Sequence, residues 1–258
     1  HENTSERAVK TCLVDRYPRE SFILADKLPL GIIESADGME PIFRGQLEHC
    51  GVDYFDYYLL HDIHEETYKK VRDFDAYAFG RRMKAEGHIR KLGFSFHGTP
   101  EMLEEILTLH PETEFVQLQL NYLDWEDPDI QSRRSYEIAR AHGKEIIVME
   151  PCKGGELSSV PEKAEALMRE MRPDDTPSAW AFRYVAGLEG VIMILSGMNT
   201  MQQLEDNMRT FADPAPITED EMDILRRTVE EIKSVATIKC TACRYCESHC
   251  PMKIQIPD

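Results

Sequence analysis

The chain has 258 residues, 42% of them hydrophobic and 30% charged, with a formal net charge of -17. That length and balance suit one large globular domain with a sizeable core. The acidic excess disfavours nucleic acid and anionic membrane as partners; no apolar run nears the roughly 18 residues of a membrane span, and no signal-peptide pattern opens the chain, so the cytoplasm is the default location.

Residues 7–14 carry a helical pattern, and the run 22–27, Phe-Ile-Leu-Ala-Asp-Lys, reads as a strand ending at Lys27. A helix over 41–50 closes at Gly51, a plausible left-handed terminator. The aromatic stretch 53–61 reads as the next strand, ending at His61, and one helix is expected over 68–86 up to Gly87. After the strand 91–96, Thr99 and Pro100 form an N-cap and first-turn pair for a helix over 102–110. The pattern then repeats with a strand at 115–121, a helix at 130–141 ended by Gly143 and a strand at 145–150. Helices follow at 164–171 and 177–185, then a strand at 191–195 and a helix at 201–209. Thr218 and Glu221 have the spacing of a capping box and open a last helix running to about residue 236.

Six strands that alternate with helices and end in polar or small residues predict a parallel α/β barrel with its chemistry on one rim. A closed (β/α)₈ TIM barrel needs eight strands. Because residue 1 runs straight into a helical pattern, the first strands are expected to precede this sequence. The composition changes near Thr237, which divides the chain into a barrel over 1–236 and a cysteine-rich segment over 237–258.

Lys27 and His61 end strands one strand–helix unit apart, so adjacent barrel strands would hold them together on the rim. A lysine there can lower the pKa of a phenol or carboxyl, and a histidine can orient a carbonyl oxygen. Taken singly, either also reads as ordinary surface chemistry. Tyr54, Tyr57 and Tyr58, on the same strand as His61, read as core or barrel-wall residues.

Seven cysteines are present, four of them in the run Cys240-x₂-Cys243-x₂-Cys246-x₃-Cys250-Pro251. In a non-secreted chain so tight a cluster argues for metal in a reducing compartment, and this spacing is that of bacterial ferredoxins, iron–sulfur being favoured over zinc. Cys12, Cys50 and Cys152 stand alone and read as small buried hydrophobes.

The segments Asn3-Thr4-Ser5-Glu6-Arg7, Ala25-Asp26-Lys27-Leu28-Pro29, the stretch 53–61, Gly87-His88-Ile89-Arg90-Lys91-Leu92-Gly93-Phe94-Ser95, Ser196-Gly197-Met198 and Leu204-Glu205-Asp206-Asn207 together resemble the aldo/keto reductases. The resemblance covers about 1–210 in order. It implies a (β/α)₈ barrel that binds a nicotinamide cofactor without a Rossmann domain, and the chain contains no Gly-x-Gly-x-x-Gly. Catalysis in that family uses Asp, Tyr, Lys and His, with tyrosine as general acid. Lys27 and His61 match the last two, and the matches to the first two would lie upstream of His1. By the same resemblance Ser95 and Gln117 hold the nicotinamide carboxamide, although Phe96 stands where an asparagine is usual. Met149 replaces the aromatic ring that stacks on nicotinamide, and Glu150, Pro151, Lys153 and Gly154 fall where the pyrophosphate is wrapped. Ser196, Gly197, Met198 and Gln203 occupy positions that often surround a 2′-phosphate. Being neutral, they favour NAD over NADP. Asp206 and Asn207 match residues that approach adenine.

One branch of that family carries a C-terminal ferredoxin-like extension, and this chain looks similar to it. Cys240, Cys243 and Cys246 would then bind one 4Fe–4S cluster, and Cys250 would serve a second whose other ligands lie beyond Asp258. The implied activity is hydride transfer between a nicotinamide cofactor and a small-molecule carbonyl or alcohol. The iron–sulfur tail would serve electron transfer to a redox partner protein, structure or redox sensing. The competing expectation is a nucleotide-binding barrel without turnover that acts in redox sensing or electron transfer.

Overall fold

Six strands hydrogen-bond side by side in chain order, every neighbouring pair parallel: β1 (Ala25–Leu28), β2 (Phe55–Ile63), β3 (Ile89–Phe96), β4 (Phe115–Gln119), β5 (Glu145–Met149) and β6 (Val191–Ile194). The structure, a computed structural model, describes residues 4–212 and 214–234. Sequential parallel order requires a crossover between consecutive strands. Of the helices α1 (Thr4–Val9), α2 (Met39–Cys50), α3 (Glu65–Asp73), α4 (Ala76–Ala85), α5 (Pro100–Leu109), α6 (Ser132–Ala141), α7 (Glu162–Met171), α8 (Pro177–Ala186), α9 (Met201–Ala212) and α10 (Glu219–Ser234), α2 to α8 supply these crossovers. The order is that of six consecutive strands of a (β/α)₈ barrel.

The two faces of the sheet bury separate apolar groups. Leu28, Tyr58, Leu60, Leu92, Phe94, Val116, Leu118, Ile146 and Val148 join the main core beneath the helices. Leu59, Phe115 and Ile147 form a second, smaller cluster with Tyr57 and Met193. The two sets alternate along the strands, so the smaller cluster marks the inner, concave face. Helix α2 docks on the outer face through Phe43, which meets Tyr58, Phe79 and Phe55 edge-on at centroid distances of 4.9, 5.8 and 6.0 Å. Each such contact adds about 0.5–1.5 kcal/mol beyond area burial.

Several local expectations hold. Thr99 caps α5 with Pro100 in the first turn, and the structure shows the same device, not foreseen, in Thr176 and Pro177 at the start of α8. Gly51 terminates α2 at φ 69°. The capping box of α10 is reciprocal: Glu221 N–H donates to Thr218 Oγ1 at 3.3 Å, and Thr218 N–H to Glu221 Oε2 at 2.8 Å.

Others are corrected. The helix expected over 68–86 is two, α3 and α4, because Asp75 turns left-handed at φ 49° and its carboxylate accepts from Ala78 N–H. The helical pattern over 7–14 is borne out in extent and differs only in type, α-helical to Val9 and π-helical over Lys10–Val14. Cys12 lies exposed there instead of in the core; Cys50 is buried and Cys152 half-buried. Strand β2 runs on to Ile63, which still pairs with Phe96 after a register irregularity, so His61 is not its last residue. Strand β4 stops at Gln119, short of 121, because Asn121 turns the chain, its Oδ1 accepting from Leu123 and Asp124 N–H. The segment 237–258, with Cys240, Cys243, Cys246 and Cys250, lies outside the described residues. Among the described residues no helix is long and apolar enough to cross a membrane.

The inner cluster depends on Gly93, which pairs with Phe115 across β3 and β4. A Cβ at position 93 would lie 2.3 Å from the Phe115 carbonyl oxygen and 2.7 Å from its ring. Gly93→Ala is therefore expected to cost about 1–3 kcal/mol, read as a lower urea midpoint. An unchanged midpoint would contradict this packing.

Candidate active site

Every strand of a parallel barrel exits on the same rim, and strand register decides which side chains share it. Lys27 pairs with Leu59, which places Lys27 and His61 on the inner face as diagonal neighbours, with His61 nearer the rim. Ser95 pairs with Gln117, and Gln119 with Met149, on the same face. The register therefore brings Lys27, His61, Ser95, Gln117 and Met149 together at the mouth.

The Lys27 main chain is fixed from the outer side. Gln46 Nε2 donates to the Lys27 carbonyl at 2.8 Å, and the buried Tyr58 hydroxyl donates to Gln46 Oε1 at 2.6 Å. Burial pushes the Lys27 pKa below the ordinary lysine value, against the charges of Asp26 and Asp62. His61, exposed at the mouth, is also lowered, first by desolvation and then by the Lys27 charge. It is therefore neutral around pH 7 and offers one donor and one acceptor nitrogen.

Ser95 and Gln117 are buried polar side chains, 1% and 3% exposed. Ser95 Oγ accepts from Asp62 N–H at 2.8 Å and keeps its own proton to donate. Gln117 Nε2 donates to the Met149 sulfur at 3.2 Å. A hydroxyl and a primary amide side by side match the donor and acceptor set of a carboxamide, so the residues present fit a nicotinamide ring over Met149.

Three of the five non-glycine residues with positive φ among the described residues lie at the C-terminal ends of strands, Asp62 at the irregularity closing β2 and Glu150 and Lys153 just after β5, and Gly154 and Gly155 continue the positive φ. Backbone strain thus gathers on the functional rim. Asn121 Nδ2 holds the Glu150 carbonyl at 3.0 Å. Lys153 is ion-paired with Asp124, a carboxylate 1% exposed that also accepts from Gln119 Nε2 at 2.8 Å and Asn121 Nδ2 at 2.7 Å. Pro151 is buried beneath this loop and Gly154 exposed on it.

The third group follows β6. Asn207 Nδ2 donates to Ser196 Oγ at 2.9 Å, joining two of the sequence-predicted residues. Gly197 and Met198 are exposed beside them. Gln203 Oε1 accepts from Asn199 and Thr200 N–H at 2.8 and 3.2 Å, capping the entry to α9. Asp206 receives the Thr176 hydroxyl on Oδ2 at 2.6 Å, which ties α9 to the start of α8, and the Arg209 guanidinium of its own helix on Oδ1 at 2.5 Å, so both its oxygens are occupied.

The three tyrosines near His61 are placed elsewhere. Tyr58 faces the outer core, Tyr57 meets the Phe115 ring at 5.0 Å on the inner face, and Tyr54 lies under the guanidiniums of Arg19 and Arg90 at 4.0 and 4.4 Å. Sequence reading missed Asp62, His64, His97 and Asp124. The sole signal for the first three was the histidine-rich writing of 61–64 and 97. Nothing in the local sequence of Asp124 marks it.

Residues 1–230 match the aldo/keto reductase family. The chain belongs to that family. Aldo/keto reductases are nicotinamide-dependent oxidoreductases. The chain superposes on the aldo-keto reductase AKR11C1 from Bacillus halodurans in its holo form with a TM-score of 0.70 and 22% identity, covering 88% of this chain and 78% of that one. Against the apo form the TM-score is 0.64 at 22% identity, covering 86% and 76%. A thermostable aldo-keto reductase, Tm1743, in complex with the inhibitor epalrestat gives 0.66 at 20% identity, covering 87% and 77%. At these identities the likeness is one of fold. No curated protein sequence matches the chain.

Asp26, next to Lys27 but on the outer face, yields a pH prediction for this aldo/keto reductase. Its Oδ1 accepts from Lys27 N–H at 2.7 Å, while Oδ2 is buried without a partner. Burial, aided by the nearby Glu6 charge, raises its pKa to about 6 against the pull of that hydrogen bond. A carboxyl raised in the folded state supports folding below the unfolded value of ~4, and that support is lost as pH rises through about 6. Asp26→Asn keeps an acceptor for Lys27 N–H and should raise stability by about 1–2 kcal/mol at pH 8 with little effect at pH 4. Equal effects at both pH values would show that Asp26 does not titrate in this range.

Proposed function

We propose that this chain carries the cofactor and substrate mouth of a carbonyl reductase that moves hydride between a nicotinamide cofactor and a small carbonyl or alcohol. The single observation that carries the reading is the register-enforced gathering of Lys27, His61, Ser95, Gln117 and Met149 on the inner rim. When bound, the dihydronicotinamide supplies the hydride. Ser95 and Gln117 hold its carboxamide, and Met149 lies against the ring, a thioether being able to pack over an aromatic face. Lys27 favours the deprotonated form of the group that gives the carbonyl oxygen its proton. Neutral His61 donates to that oxygen and orients it.

The loop Glu150–Gly154 offers the pyrophosphate its path, and Ser196, Gly197, Met198 and Asn207 line the adenosine end. With Gln203 used as a cap and Asp206 paired to Arg209, no uncommitted cation among these residues meets a 2′-phosphate, which supports NAD over NADP. The cysteine spacing at 240–250 supports a 4Fe–4S segment that exchanges electrons with a redox partner protein or senses redox state, in a reducing compartment such as the cytoplasm.

Lys27→Met should lower kcat/KM for aldehyde reduction by about 10²–10⁴-fold while NADH still binds. Loss of NADH binding together with activity would make Lys27 structural. Fluorescence titration should show NADH binding at least about tenfold tighter than NADPH, since a 2′-phosphate without a cation partner loses charge-assisted hydrogen bonds. Equal affinities would remove the NAD preference. Iron and acid-labile sulfide analysis of anaerobically purified protein should show both elements, lost in Cys243→Ser. Zinc in their place would refute the cluster.

A further inference from the structure

A second set of side chains shares the mouth with Lys27 and His61, and all three of its members have pinned backbones. Asp62 is left-handed at φ 57°, with its N–H on Ser95 Oγ. His64 caps α3, its N–H on Thr67 Oγ1 at 2.9 Å. His97 N–H donates to the Ile63 carbonyl at 2.9 Å. The side chains converge: His64 Nε2 lies 3.8 Å from Asp62 Oδ2, and His97 Nε2 lies 3.9 Å from Asp62 Oδ1. Each carboxylate oxygen thus faces an imidazole at ion-pair range, too far for a direct hydrogen bond and with space for an incoming polar group. The three side chains are 48%, 35% and 40% exposed, open to the mouth.

We propose that Asp62, His64 and His97 select substrate by the charge of the group remote from its carbonyl: hydroxylated, uncharged aldehydes or ketones while the imidazoles are neutral, and carboxylate-bearing ones once they are protonated. This rests on the carbonyl-reductase reading above. With both rings neutral, the trio carries the one negative charge of Asp62 and repels a substrate carboxylate. With both protonated its net charge is reversed, and the rings become donors on both sides of the pocket. The surrounding charges are those of Lys27, Glu150 and, when protonated, His61; the first two act on His97 directly. Burial is the leading influence on His97 and makes it take up its proton on the acid side of the ordinary histidine range, against the pull of Asp62.

The test compares two aldehydes of the same length, 4-carboxybenzaldehyde and 4-(hydroxymethyl)benzaldehyde. At about pH 8 the hydroxymethyl compound should have the higher kcat/KM by about tenfold, the size expected for one repulsive charge pair a few ångström apart in a partly solvated site. As the pH is lowered from about 8 to about 5 the ratio should fall, histidine being the side chain whose charge changes in that range. Asp62→Asn, which tolerates the left-handed backbone, should abolish the discrimination at the higher pH. The double variant H64N/H97N should keep the discrimination and lose its pH response. An unchanged ratio in Asp62→Asn, or a pH response surviving in the double variant, would overturn the proposal.

If neither aldehyde is turned over, the reductase reading fails and the charge selection is read separately. Ring-proton NMR signals of His64 and His97 should shift saturably with 4-carboxybenzaldehyde at about pH 5.5 and not at about pH 8. No saturable shift at either pH would overturn the proposal.

Discussion

Strand register is the constraint on which the rest of this molecule depends. Side chains alternate across a strand with a period of two, so a slip of one residue between β1 and β2 would carry Lys27 to the helix side and bring Asp26 into the lumen. Slippage is opposed on both faces at once. Outside, Phe43 fits between the rings of Phe55, Tyr58 and Phe79. Inside, the Phe115 ring fits only where residue 93 has no side chain. Packing at the bottom and middle of the sheet therefore sets the chemistry at its top, and few residues at the mouth need hold themselves in place.

Polarity along the inner face is graded. Low in the lumen, Lys91 and Glu145 pair at 2.5 Å beside Tyr57; above them the space is apolar, with Leu59, Phe115 and Ile147; at the mouth it is polar again. An apolar layer beneath the rim lowers the local dielectric and so strengthens the electrostatic interactions next to it. The state of Lys27 and His61 is one result: each is held nearer neutrality than it would be alone in water, mainly by desolvation, and the Lys27 charge adds to this at His61.

Much of this arrangement could be read from the sequence because it is carried by short-range signals. Apolar runs that end in a polar residue mark β1 to β6, and Thr99-Pro100, Gly51 and the Thr218–Glu221 pair announce their helix ends. The errors share a cause. Apolar residues at 68, 71, 74 and 77 keep a helical rhythm through a break that depends on Asp75 adopting a left-handed conformation. The extension of β2 past His61 depends on its pairing with Phe96, a contact made on another strand. Asp62 and His97 face each other only after that pairing is made, so no pattern within either segment could have shown them together.

The Lys153–Asp124 pair ties the loop leaving β5 to the loop leaving β4 through a carboxylate that water does not reach. Removing the lysine alone would strand a buried charge on two amide donors, a cost of several kcal/mol for an unpaired ion in such surroundings. The two loops are consequently coupled through one charge: any 150–155 segment placed on this barrel without a cation at position 153 would leave the Asp124 carboxylate of the 120–131 turn without its ion-pair partner.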